Sequence, residues 1–304
     1  MELNPILVRE LRGRMRGARA FVLLTIYLLI VSGVALLLYA TMASTFETDL
    51  NAGRQIGRTL FLVISLVALV EVCIITPVLT SGSIAGEKER QTFDLLIASL
   101  LSPWQIVWGK LASALIYALL LIVAVVPVLS LAFLFGGVSA LEVLVALIGL
   151  AATAVLYATI GLFWSSLTRS SLGATSFALG SIIMKLLGIP FLAVMFMLAF
   201  ARDVSSDITS SVLFVYLSRL FISAHPFIAL GITEAHLASG GNPFFEVIDI
   251  PGSSLILPSA WIMYLLFAAM TSVILIILSV RMLRPVIPAP AAPPAVAPAA
   301  PAAE

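Results

Sequence analysis

"GEKERQTFDLLIASLLSPWQIVWGK", residues 86–110, carries five charges within eight positions: Glu87, Lys88, Glu89, Arg90 and Asp94. The chain as a whole, 304 residues long, is 62% hydrophobic and only 10% charged. Apolar runs flank the quoted stretch on both sides, each reaching the roughly 20 residues that a helix needs to cross a hydrocarbon core. With a mean hydropathy of +1.18, this pattern predicts a polytopic membrane protein. The quoted stretch is the connection between two of its spans.

Six stretches are long and apolar enough to cross, near residues 20–43, 59–79, 111–135, 141–164, 172–200 and 259–280. The first exceeds the apolar core of a signal peptide and has no small-residue cleavage pattern after it, so it is expected to stay as a span. Lys and Arg placement then sets the orientation. Arg9, Arg12, Arg14, Arg16, Arg19, Lys88, Arg90, Lys110, Arg169, Arg281 and Arg284 fall on one side, against Arg54, Arg58, Arg202 and Arg219 on the other. Eleven against four predicts both termini in the cytoplasm. The expected class is an all-α membrane protein with six transmembrane helices over residues 1–284.

Before the first span, Asn4 is an available N-cap and Pro5 suits the first helical position. Leu3, Ile6, Leu7, Leu11 and Met15 recur at helical spacing among arginines, which predicts an amphipathic interfacial helix. Residues 201–258 are too apolar for a free linker. Short helices lying on or dipping into the outer face are expected there, the second broken by Gly240, Gly241 and Pro243. Residues 285–304 are dense in Pro and Ala and read as a disordered cytoplasmic tail. The single cysteine, Cys73, excludes a disulfide framework, and His225 and His236 lack the spacing of a metal site.

Within the quoted stretch, a helix starting at Glu87 would place Phe93, Leu96, Ile97 and Leu100 on one side. Ser102, Pro103 and Gln105 then form the pattern of a capping box, so a new helix begins there. Trp104 and Trp108 suit the headgroup level, and Lys110 is expected to snorkel toward it. A short helix with an apolar face and a charged end is suited to the groove of a soluble partner.

These residues resemble the cytoplasmic coupling region of the type-2 ABC transporter permeases. The acidic-basic-Arg run corresponds to Glu87, Glu89 and Arg90, followed by Thr92, the leucine pair Leu95 and Leu96, the turn at Ser102 and Pro103, and Gly109–Lys110 before the third span. Gln91 stands where the family often has glycine, and Leu100 where it often has proline. The resemblance implies a permease that carries no ATPase of its own and forms the pathway as a dimer, homomeric or heteromeric. ATP and Mg would be used by a partner ABC ATPase subunit, with no cofactor bound directly to this chain. It implies ATPase-coupling roles for Glu87, Lys88, Glu89, Arg90, Thr92, Phe93, Leu96 and Ile97. The sequence agrees on the ATPase, since its only Gly-Lys pair lacks the rest of a P-loop.

Glu71 and Lys185 fall well inside the second and fifth spans, where a charge must pair or face water. The resemblance makes both candidate pathway residues; a buried pair between them is the other reading. Pro77 and Pro190 are placed to kink those spans. An ion-gradient-driven secondary transporter remains the alternative, though no internal repeat supports it. A membrane enzyme would need a catalytic constellation within the spans, and none is present.

Overall fold

The computed structural model describes residues 5–15, 18–45, 52–93, 101–200, 212–250 and 253–283. The helices are α1 (Pro5–Met15), α2 (Ala18–Thr45), α3 (Ala52–Glu89), α4 (Pro103–Leu134), α5 (Ala140–Leu167), α6 (Ser171–Phe200), α7 (Val212–Ser223), α8 (Pro226–Ala238) and α9 (Ala260–Met282). A hairpin of β1 (Phe245–Ile250) and β2 (Ser253–Pro258) precedes α9. Six of the helices, α2 to α6 and α9, are long and apolar enough to cross a membrane. The expected tail, 285–304, lies outside the described residues.

The bundle is built around α3 and α5, which share its largest interface; α4 and α6 pack on α3, and α9 packs on α5. Tyr27, Phe61, Leu121, Leu129, Leu150 and Tyr157 fill the core. The central pair approaches closely because residue 161 has no side chain. A Cβ at Gly161 would lie 2.6 Å from the Pro77 carbonyl oxygen and overlap Thr80 Oγ1. Small residues that let backbones meet are how helices associate where lipid removes the hydrophobic driving force.

The second span runs ten residues beyond the expected end at Leu79. Hydropathy falls there because Thr80, Ser81, Ser83 and Glu87 are polar, yet each finds a partner inside the protein. Thr80 Oγ1 donates to the Pro77 carbonyl at 3.2 Å, and Ser81 Oγ lies 2.7 Å from Thr175 Oγ1 of α6. Ser165 Oγ of α5 accepts from the amides of Ile84 and Ala85, both at 2.9 Å. Polar residues satisfied this way extend a helix rather than end it.

The helix of the third span begins at the expected cap, eight residues ahead of the apolar run at 111. Ser102 Oγ accepts from the Gln105 amide at 3.3 Å, and the Ser102 amide donates to Gln105 Oε1 at 2.9 Å. A second capping box, Ser139 with Glu142, opens α5.

On the opposite end, α7 and α8 meet at a 113° bend. His225 caps α8, its Nδ1 accepting from the Ile228 amide at 3.3 Å while Nε2 donates to the Leu186 carbonyl at 3.0 Å. Leu186 lies midway along α6, so the bend reaches deep into the bundle. The two short apolar helices expected between the fifth and last spans thus form a sharply bent pair. The β1–β2 ribbon that follows was not expected among helices. It is tied to α7 by the Arg219–Glu246 ion pair and by Tyr216 Oη, which donates to the Ile256 carbonyl at 2.9 Å.

Candidate functional site

The polar end of the bundle gathers most of the residues that the sequence singles out. Ile6 of α1 is buried with Ile84, Ile106, Val107, Leu111 and Leu283, which seats α1 across the ends of α3, α4 and α9. One turn on, Glu10 faces the same way, while Arg9 and Arg12 are exposed. The side chains of Arg14, Arg16 and Arg19 lie outside the described residues.

Lys110 does not snorkel. Its side chain is 1% exposed, and its ammonium contacts Glu87 Oε1 at 2.9 Å, Glu10 Oε1 at 3.1 Å and the Ser83 carbonyl at 2.8 Å. Arg9 adds a 3.3 Å contact to Glu87 Oε1 from the surface. A lysine two residues past Trp108 is drawn inward because two carboxylates and a carbonyl satisfy its three donors, which water would otherwise do.

The charged run closes α3 instead of opening a new helix. The Thr92 amide donates to the Glu87 carbonyl at 2.9 Å and the Gln91 amide to the Lys88 carbonyl at 3.2 Å. Those two bonds are a Schellman motif, and its left-handed position falls on Gln91, with φ of 58°. Glycine adopts that conformation freely and a residue with a Cβ does not, so Gln91 holds the cap at a cost in strain.

Each neighbour in the run has a separate internal task. Lys88 donates to the Ser166 carbonyl at the end of α5, and its ammonium also lies 5.5 Å from the centre of the Phe93 ring. Glu89 accepts from the Ser171 amide at 2.9 Å and from Ser171 Oγ at 2.6 Å, placing a carboxylate at the amino end of α6, where the helix dipole favours it. Arg90 and Thr92 are exposed. Leu96 and Ile97 lie outside the described residues, as does the apolar face expected beyond Phe93.

Glu71 and Lys185 do not pair: neither has a hydrogen-bond partner among the described residues. The reason is angular. Cys73, two residues from Glu71 and so on the far side of α3, neighbours Tyr157, the ring that lies under Lys185, whereas Glu71 lies toward Tyr27 of α2. The Lys185 ammonium is held instead against the rings of Phe267, Tyr157 and Tyr264, 4.8, 5.4 and 5.9 Å from their centres.

At the other end, Glu234 of α8 is 5% exposed and Glu142 of α5 is 8% exposed. Burial, aided by the charge of Glu142 and opposed by Arg58, pushes the Glu234 carboxyl up to about 8. Sequence reading passed over both acids, and over Glu10. The last had a signal: it is the only acid in the segment "PILVRELRGRM".

The sequence signature described as ABC-2 family transporter protein matches residues 41–280. The chain belongs to this family. It is thus an integral membrane protein and the membrane-spanning component of an ABC transporter, a system in which an ATPase partner supplies the nucleotide chemistry. No curated protein matches the chain. The matched region begins near the end of α2 and closes within α9, so it takes in the α3 cap, both capping boxes and the bent α7–α8 pair of this ABC-2 family protein.

Proposed function

We propose that the chain is the permease subunit of an ATP-driven exporter in the inner (cytoplasmic) membrane. Two such subunits, identical or related, face each other around the pathway, and a separate ABC ATPase subunit using ATP and Mg²⁺ docks at the end that carries α1. That end faces the cytoplasm, with both termini. Glu87, Lys88, Glu89, Arg90, Thr92, Phe93, Leu96 and Ile97 form the coupling region, and Glu71 and Lys185 are the candidate groups facing substrate.

The observation that carries this reading is the buried contact of Lys110 with Glu10 and Glu87. It fastens the amphipathic α1, the end of α3 and the start of α4 at one point. A push delivered to the segment after Glu89 would reach α3, α4 and α1 together, while Glu89 passes it to α6 through Ser171. A solvated loop would need none of these fastenings. Most of the run is spent inside the protein, which leaves Arg90 and the residues after it to meet the partner.

The test is a gentle purification of the tagged chain from native membranes. A P-loop ATPase should co-purify, and Arg90→Glu should lose it while the bundle still folds. Absence of any ATPase under conditions that hold a known ABC complex together would overturn the proposal.

A further inference from the structure

Lys185 occupies the middle of α6 with a shielded ammonium that has no hydrogen-bond partner among the described residues. Its side chain crosses a gap. α6 and α9 barely meet along their backbones, yet the Lys185 nitrogen lies 4.8 Å from the centre of the Phe267 ring and 5.9 Å from that of Tyr264, both on α9. Tyr157 of α5 forms the floor, 5.4 Å away. Met184 and Leu187 on α6, and Leu266 and Met270 on α9, neighbours of these residues in sequence, are exposed apolar side chains. The space between α6 and α9 therefore borders an exposed apolar surface. The bend between α7 and α8 closes it from the other direction, because His225 holds the carbonyl of Leu186, the residue next to Lys185.

Aromatic faces attract a cation but accept no strong hydrogen bond from it. Three ammonium donors are thus left without acceptors at a depth where water is scarce, an arrangement that costs free energy until an acceptor arrives. The described residues do not supply one: Glu71 lies toward α2. We infer that the gap between α6 and α9 binds the acidic head of an amphiphile, a phosphate or carboxylate entering from the bilayer, with Lys185 as its counter-ion. The apolar part of the ligand stays among the lipid-facing side chains of α6 and α9, and the aromatic cage holds the ammonium while the site is empty. This inference rests on the reading of Lys185 as a group that faces substrate.

The experiment uses the full chain in nanodiscs, with native mass spectrometry counting bound phosphatidic acid, diacylglycerol and phosphatidylcholine. Wild type and Lys185→Arg should prefer phosphatidic acid over diacylglycerol by about tenfold, as a buried charge pair allows, and Lys185→Met should show no preference. Wild type binding both lipids equally overturns the inference without recourse to any variant, as does an undiminished preference in Lys185→Met. Displacement of phosphatidic acid by inorganic phosphate at equal concentration would assign the site to a free anion and overturn the amphiphile. Export measured with the co-purified ATPase separates the two readings. Loss of export in Lys185→Met without any lipid preference in wild type removes only the acidic ligand, whereas normal export in Lys185→Met removes the pathway role.

Discussion

Replacing Lys110 with methionine keeps an unbranched apolar stem one atom shorter and removes the charge. In the native protein two carboxylate oxygens lie 2.9 and 3.1 Å from the ammonium, with a carbonyl oxygen at 2.8 Å. At an effective dielectric of 20, a unit pair at 3 Å attracts by about 5 kcal/mol. Desolvating the ions cancels much of that, so the intact pair adds little net stability. Breaking it is different, because Glu87 and Glu10 are 17% and 20% exposed and would be left facing each other with only the exposed Arg9 as a cation. The expected loss is about 3 kcal/mol, the lower end of what removing one partner of a buried pair costs, since Arg9 still reaches Glu87 and Glu10 can turn toward water. The loss should appear first in α1. Limited trypsin digestion of the purified chain should cut after Arg9 or Arg12 faster in Lys110→Met than in wild type. The triple variant that combines Lys110→Met with Glu10→Gln and Glu87→Gln should restore most of the protection. Equal digestion of wild type and Lys110→Met would show that Ile6 alone seats α1 and would remove the fastening on which the coupling proposal stands.

Two further outcomes are expected. Gln91→Gly should raise the thermal midpoint of the detergent-solubilised chain, by up to about 1 kcal/mol of stability, and Gln91→Val should lower it, since a β-branched residue fits the left-handed conformation worst; Val matching Gly would refute the strained cap. For Glu234 the folded carboxyl titrates near 8 against an ordinary 4.5, so the folded state holds its proton after the unfolded state has lost it. Stability contributed by that proton is complete below about 4.5 and is lost as pH rises toward about 8. Wild type should therefore lose stability between pH 5 and pH 8, on the order of a few kcal/mol, and Glu234→Gln should lose much less; parallel curves would place the acid in contact with water.

Hydropathy made the six crossings legible, and the pattern Ser102-Pro103-Gln105 announced the start of α4 because a capping box is local chemistry. Features decided by distant partners were not legible in the same way. Thr80 to Glu87 read as the end of a span since a sliding average counts polarity and is blind to Ser165, Thr175 and Lys110, which satisfy it. Lys110 read as a snorkelling lysine for the same reason: its acids are 100 and 23 positions away. Glu71 and Lys185 could be placed at similar depth from sequence, but their azimuth on α3 and α6 depends on how the helices pack. The β1–β2 ribbon did leave a trace. Glu246 and Asp249 interrupt an otherwise apolar run ahead of Pro251-Gly252, a turn signal between two strand-like segments, outweighed in the reading by the surrounding helices.

The length of α3 has a mechanical consequence. At 38 residues it measures about 57 Å, nearly twice the hydrocarbon core, and Pro77 interrupts its backbone ladder by withholding one amide. From Pro77 to Glu89 is an arm of about 18 Å. A tilt of about ten degrees at the proline would carry the tip of that arm sideways by about 3 Å, comparable to the whole length of the Glu89–Ser171 contact. The helix is geared so that a small rotation inside the membrane and a bond-sized displacement at its polar end are the same movement.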